Sequence, residues 1–136
     1  MMVTIRSTYE GNLRCTATHP SGTELSTDAP KDNEGRGESF SPTDLVATAL
    51  GNCAMTIMAI VGRRDDLDLA GMSARVVKEM TTDPRRIAAA PVEITVPGKL
   101  TAKQKETLEH AARHCPVAMS LHPDLDGVMR FEYPDD

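Results

Sequence analysis

Aromatic residues are nearly missing from this 136-residue chain: it has no Trp, and its only rings besides His are Tyr9, Phe40, Phe131 and Tyr133. Base stacking therefore has little to work with, and the core must be built from aliphatic side chains and some of the eight methionines. Positive charge is also short, with 15 Lys and Arg against 20 Asp and Glu and a net charge of -5. That balance argues against nucleic acid or an anionic membrane as partner, because phosphate binding needs a basic surface. The pairs Arg63-Arg64 and Arg85-Arg86 are isolated and read as solvated surface. Cysteine is scarce too. Cys15, Cys53 and Cys115 are odd in number and far apart, unlike a secreted disulfide scaffold, and the N-terminal stretch MMVTIRSTYEG lacks the apolar core of a signal peptide. The expected location is a reducing cytoplasm. Long apolar runs are limited to one, Leu45 to Gly62, which contains no charged residue and is near the lower length limit for a membrane span. Thr48, Gly51, Asn52, Cys53 and Thr56 interrupt it and nothing else resembles a partner span, so a buried helix of a soluble protein is expected.

What is present fits one globular domain over residues 1–136, with 26% charged and 40% hydrophobic residues. VTIRSTY and LRCTATH alternate on either side of the turn EGN, predicting a β-hairpin, and TELSTD adds a third strand to give a meander with polar residues on one face. APKDNEGRGESF has no periodicity and predicts an exposed loop. A long helix follows, with Ser41 as N-cap, Pro42 at the first helical position, Asp44 in the first turn and an end near Gly62. Ala74, Val76 and Lys78, then Val92, Ile94 and Val96, predict two more strands joined by TTDPR; Pro91 and Pro97 place the second at a sheet edge or on a bulge. Thr101 and Gln104 form a capping box for a helix over AKQKETLEHAARH, with Leu108, Ala111 and Ala112 on its apolar stripe. CPVAMSL predicts a short helix with Cys115 as N-cap and Pro116 at its first position, and GVMRFEY a last strand. The order of elements indicates an α+β protein.

Two thiols stand out. Cys53 lies about three turns inside its helix, where the dipole has faded, and needs an outside cation to become acidic. An N-cap Cys115 would face free N–H groups, and on this ground is expected to be the more acidic thiol. The alternative is that both are small buried hydrophobes. Gly51 and Asn52, just before Cys53, give up helix propensity, and Gly often marks a close approach of another chain or a ligand. Cys15 reads as a filler in a strand. His110 and His114, at i and i+4 next to Cys115, have metal-ligand spacing, with a dipole-facing histidine pair as the plainer reading. His19 and His122 read as loop residues, and Met55, Met58, Met72, Met80 and Met119 as core packing or the wall of an apolar pocket.

SPTDLVATALGNCAMTIM, followed some sixty residues later by HCPVAMSL, resembles the two-cysteine signature of the OsmC/Ohr family, the osmotically inducible protein C and organic hydroperoxide resistance proteins. The resemblance extends over nearly the whole chain. It implies an intertwined homodimer of antiparallel sheets around a long, central, buried helix, and a thiol-dependent reduction of organic hydroperoxides without metal or organic cofactor. By the same resemblance Cys53 is the thiolate that attacks peroxide, Cys115 the resolving thiol, and an external dithiol or lipoyl-type partner the reductant. Arg36 is the first choice for the cation that holds the thiolate and Arg14 the second, with Glu38, Phe40, Thr43 and Asp44 around the pocket. One departure weighs against peroxidase activity. The family's Glu at the helix start matches Thr43 here, which leaves Asp44 and Glu38 as the only nearby carboxylates. That favours a divergent branch and keeps open a second function, a non-peroxidatic binding or redox-sensor protein holding a small lipophilic ligand at the dimer interface.

Overall fold

Alternation in the first thirty residues yields three short strands, β1 (Arg6–Gly11), β2 (Arg14–Thr18) and β3 (Glu24–Asp28), paired antiparallel as a meander. The computed structural model describes all 136 residues, and these fall into two compact units, residues 1–46 and 47–136. In the first unit Arg14 stands opposite Asp28, and Cys15 opposite both Tyr9 and Thr27. The β1–β2 turn places Asn12 and Leu13 at positive φ, with an irregular register at Gly11. β1 starts later than the alternation suggests, leaving Val3 and Ile5 ahead of it. The expected division into a polar and a covered face is absent: β1 is exposed from Arg6 to Glu10, and Tyr9 is 63% exposed.

Residues 29–40 are mostly exposed, as expected of a loop, with Ala29, Pro30 and Gly35 half-buried, but they are folded back on the end of β3. A 3-10 turn spans Lys31–Asn33, the Gly35 N–H donates to the Pro30 carbonyl (2.9 Å), and the Gly37 N–H donates to the Ala29 carbonyl (3.1 Å). The Asp28 N–H closes the segment on the Phe40 carbonyl (3.1 Å). A Cβ on Gly35 would fall 1.8 Å from the Ala29 carbonyl oxygen, so only glycine allows this close return of the chain.

Helix α1 (Pro42–Arg63) begins as its sequence predicts. The Asp44 N–H donates to Ser41 Oγ (3.1 Å) and the Ser41 N–H to Asp44 Oδ2 (2.9 Å), a capping box in which Asp takes the usual place of Glu. Ser41 itself is 1% exposed. By length and composition α1 could cross a membrane, but only one helix passes that test. The central burial expected for α1 is not found in the single chain. Ala47, Leu50, Gly51, Ala54, Met58 and Gly62 are buried, whereas Asn52, Thr56 and Ile60 form an exposed stripe at i, i+4 and i+8.

In the second unit, α1 lies on a mixed three-stranded sheet ordered β4 (Ser73–Val76), β7 (Val92–Thr95), β8 (Met129–Glu132). β4 pairs antiparallel and β8 parallel with β7, so the expectation of purely antiparallel sheets is corrected. Also corrected is the edge position predicted for β7. It is the central strand, and its prolines do no harm because Pro91 and Pro97 lie just outside the ladder residues. The two long strands predicted around TTDPR are four short ones. Lys78 falls between β4 and a separate hairpin of β5 (Glu79–Thr81) with β6 (Arg86–Ala89). Helix α2 (Ala102–Arg113) carries the predicted Thr101–Gln104 capping box and buries Leu108 and Ala112; α3 (Pro116–Ser120) follows. The Tyr133 hydroxyl donates to the Glu109 carboxylate (2.6 Å) and Lys105 pairs with Asp136, tying the end of the chain to α2. The core is aliphatic with Met58 and Met129 inside it; Met119, expected within the core or a pocket, is 67% exposed.

Gly51 has a definite reason to be glycine. A Cβ there would meet Val76 Cγ2 at 2.8 Å, so β4 of the same chain, rather than a ligand, makes the close approach. Gly51→Ala should lower stability by about 1 kcal/mol, since overpacking of about 1–3 kcal/mol outweighs a helix-propensity gain of about 1 kcal/mol. A urea midpoint that stays level or rises in this variant would show that Val76 yields freely.

Candidate functional site: two thiols and a buried carboxylate

Cys53 sits on the fourth turn of α1, half-buried between the core face and the exposed stripe, with its side chain against the hydrophobic cluster. Cys115 is the N-cap of α3, as predicted; it is fully buried, and its Sγ accepts from the Ala118 N–H at 3.5 Å. Both thiols are free. They pack into the same hydrophobic cluster, and Cys53 is close enough to influence the titration of Cys115. The spacing predicted an acidic Cys115, and this is overturned. Burial, first, and the neighbouring Cys53 push its pKa above the ordinary thiol value, against the pull of the Ala118 N–H. A helix of five residues adds little dipole to offset full desolvation.

A second constellation lies at the end of β3. Arg14 donates to Glu38 Oε2 at 2.5 Å and contacts Asp28 Oδ2 at 3.5 Å, while Asp28 Oδ2 also accepts the Glu38 N–H at 3.0 Å. Asp28 is 1% exposed. Donation from the Glu38 backbone, and then the Arg14 charge with the N–H groups of Arg36 and Ala29, hold its carboxyl below the ordinary range although burial opposes this. Nothing in the sequence singled out Asp28. Its one signal was its place as the last residue of a strand before a loop, which many solvated aspartates share.

The linkage has a definite sign. A carboxyl with a depressed folded-state pKa contributes stability that is full above the unfolded value of about 3.9 and is lost as the pH falls through the folded value. Acid titration followed by urea midpoint should therefore show a loss of stability below about pH 4 that is shallower in Asp28→Asn. Equal slopes in the two proteins would contradict the assignment.

The remaining residues are placed as follows. Arg36 has an exposed side chain in the segment held by Asp28, and Glu38 is bound to Arg14. Phe40 is 54% exposed and gives its carbonyl to the Asp28 N–H. Thr43 Oγ1 lies 3.2 Å from Ser41 Oγ, and Asp44 serves in the cap of α1. Cys15 is half-buried in β2. His110 and His114 stack with ring centroids 4.2 Å apart, and His114 Nδ1 lies 2.8 Å from the His110 carbonyl oxygen. With Cys115 turned into the core, no three His, Cys, Asp or Glu side chains converge there in a set able to hold a metal.

Comparison with known proteins places this geometry. The family model described as OsmC-like protein matches residues 35–126. A crystal structure from Psychrobacter arcticus 273-4, provisionally described as an osmotic stress induced and detoxification response protein, shares 44% identity at a TM-score of 0.92 over 97% of both chains. An organic hydroperoxide resistance protein OsmC from Legionella pneumophila superposes at a TM-score of 0.74 with 16% identity, over 97% of both chains. OhrB of Bacillus subtilis, an organic hydroperoxide resistance protein, does so at 0.65 with 14% identity, over 98% of both. No curated protein sequence gives a significant match. At these low identities the two hydroperoxide resistance proteins establish a shared fold. The family model, matching well over half of the chain, establishes membership: this α+β chain belongs to the OsmC-like family.

Proposed function

We propose that the chain is a homodimeric, cytoplasmic thiol peroxidase that reduces organic hydroperoxides. The observation that carries this reading is the pairing of two free thiols, one half-buried on α1 and one sealed at the start of α3. The Cys53 thiolate attacks the terminal peroxide oxygen, and the O–O bond breaks to give a Cys53 sulfenic acid and an alkoxide, which leaves as the alcohol after taking a proton. Cys115 then displaces water from the sulfenic acid, forming a Cys53–Cys115 disulfide. An external dithiol or lipoyl-type partner restores both thiols by exchange and is itself oxidised to a disulfide. Thiolate chemistry needs no metal or organic cofactor here. The cation for the Cys53 thiolate comes from the Asp28 cluster, as Arg36 or as Arg14. Arg14 already has, in Glu38, the carboxylate partner that Thr43 does not supply.

Homodimerisation is supported by what the single chain leaves uncovered. The exposed stripe of α1 is uncharged, and Tyr9, Leu25 and Phe40 stand exposed on the first unit. A second copy would cover such a surface, and with it the half-buried Cys53.

The test is mass spectrometry after one equivalent of cumene hydroperoxide. Wild type should give a Cys53–Cys115 disulfide, Cys115→Ser a Cys53 sulfenic acid, and native spectra twice the 14.7 kDa chain mass. Unmodified Cys53 in both proteins would reject the peroxidase and favour the second reading, a lipophilic-ligand or redox-sensor protein, to which the Thr at position 43 points.

A further inference from the structure

A hollow of about 190 Å³ lies wholly within the 47–136 unit, where α1, the end of α2, α3 and the loop before β8 meet. Leu50, Ala118, Leu121 and Leu125 give it apolar walls, and Arg113 and His122 supply its polar lining. Gly127 lines it too, and neither strain nor crowding requires a glycine there. It is not among the glycines at positive φ, and a Cβ would lie 3.4 Å from Leu50 Cδ2 and 4.0 Å from Leu125 Cδ2, in ordinary contact with both. The missing side chain therefore leaves space between two walls of the hollow. Arg113 is held in place without being used up. Its guanidinium stands 5.0 Å from the centroid of the Phe131 ring, and its Nη2 lies 3.6 Å from Glu109 Oε1, beyond hydrogen-bonding distance. Glu109 meanwhile accepts the Tyr133 hydroxyl at Oε2 (2.6 Å). A ring and a charge thus orient a guanidinium whose N–H fork makes no hydrogen bond to its carboxylate neighbour. His122 Nδ1 accepts the Asp124 N–H (3.0 Å), so the neutral ring carries its proton on Nε2 as a second donor.

We propose that this hollow binds a small monocarboxylate, with the apolar part of the ligand against Leu50, Leu121 and Leu125 and its carboxylate on the Arg113 fork. A planar guanidinium with unused donors matches the two oxygens of a carboxylate. Size sets the rest of the ligand. A cavity of about 150 Å³ holds benzene, so one of about 190 Å³ holds a chain of about six carbons with its headgroup. Inorganic phosphate would leave the leucines uncovered, and a purely apolar molecule would cover Arg113 without pairing it. The site uses neither thiol, and it stands or falls apart from the peroxidase reading.

The test is a titration of the whole chain with hexanoate, followed by NMR of its leucine methyl groups. Hexanoate should saturate with a Kd of about 1 mM or tighter, shifting the methyls of Leu50, Leu121 and Leu125 above all others. Hexanol, which has the tail without the charge, and inorganic phosphate, which has charge without a tail, should each bind at least about tenfold more weakly. Arg113→Met keeps an apolar stem beside Phe131 and should weaken hexanoate about tenfold while leaving hexanol within about twofold. Gly127→Ala puts a methyl group into the hollow and should also weaken hexanoate about tenfold. Cys53→Ser should leave hexanoate within about twofold of wild type, since the thiol lies outside the site. No saturation below about 20 mM, shifts centred on other leucines, or hexanol or phosphate binding as tightly as hexanoate would each overturn the proposal. These wild-type results decide it even where a variant fails to fold. Unchanged hexanoate affinity in Arg113→Met or Gly127→Ala overturns it as well, and loss of binding in Cys53→Ser does so by placing the ligand at the thiols.

Discussion

Cys53→Ser should abolish cumene hydroperoxide reduction, a fall of about 1,000-fold or more in kcat/KM, since a serine hydroxyl has almost none of the nucleophilicity of a thiolate toward the O–O bond. Cys115→Ser should behave differently. Cys53 would still be oxidised once per chain, in a burst of alcohol product of one equivalent, but turnover with a dithiol would slow because the sulfenic acid lacks its internal partner. A Cys53→Ser enzyme that retains turnover would place the chemistry elsewhere, and a Cys115→Ser enzyme with full turnover would show that reductant reaches the sulfenic acid directly. The raised pKa of Cys115 bears on this step. A buried, protonated thiol is poorly placed to attack peroxide and is spared over-oxidation, yet in the proposed mechanism it is the partner of the sulfur that becomes electrophilic.

Ile94→Ala should cost about 2–5 kcal/mol, a large part of the total stability of a domain of this size. Ile94 is fully buried on β7, the central strand, between Ala74 of β4 and Phe131 of β8. Truncation removes apolar contact and leaves a cavity that strands tied on both sides cannot close. The urea midpoint should fall while the slope of the transition stays constant. A loss below about 1 kcal/mol would mean that the sheet repacks around the gap. Because α1 lies on the same sheet at Gly51, the variant should also loosen the support of Cys53, seen as faster iodoacetamide labelling of that thiol.

Local chemistry was legible wherever one short segment carries its own instructions. Ser41-Pro42 with Asp44, Thr101 with Gln104, and Cys115-Pro116 predicted three helix starts because caps are satisfied within four residues. The same holds for the meander, whose strands are sequence neighbours joined by short turns. Lys78 was misplaced because a strand break at Val77 has no local signal, and β7 because prolines next to a strand look much like prolines within one.

By itself, then, the sequence determined the opening three-stranded meander, the helices and their caps, the aliphatic and methionine core, and the two thiols worth watching. Tertiary structure alone decided that β8 joins β7 in parallel, that Gly51 admits β4, and that Cys115 is a raised rather than an acidic thiol. It also decided that Asp28, unremarkable in the chain, anchors the segment bearing Arg36. The physical reason is common to all four. Strand order, close approach, desolvation and ion pairing depend on groups that the chain brings together from about 10 to about 60 residues away, since loop closure costs little more as the loop lengthens, and no local pattern records which groups those will be.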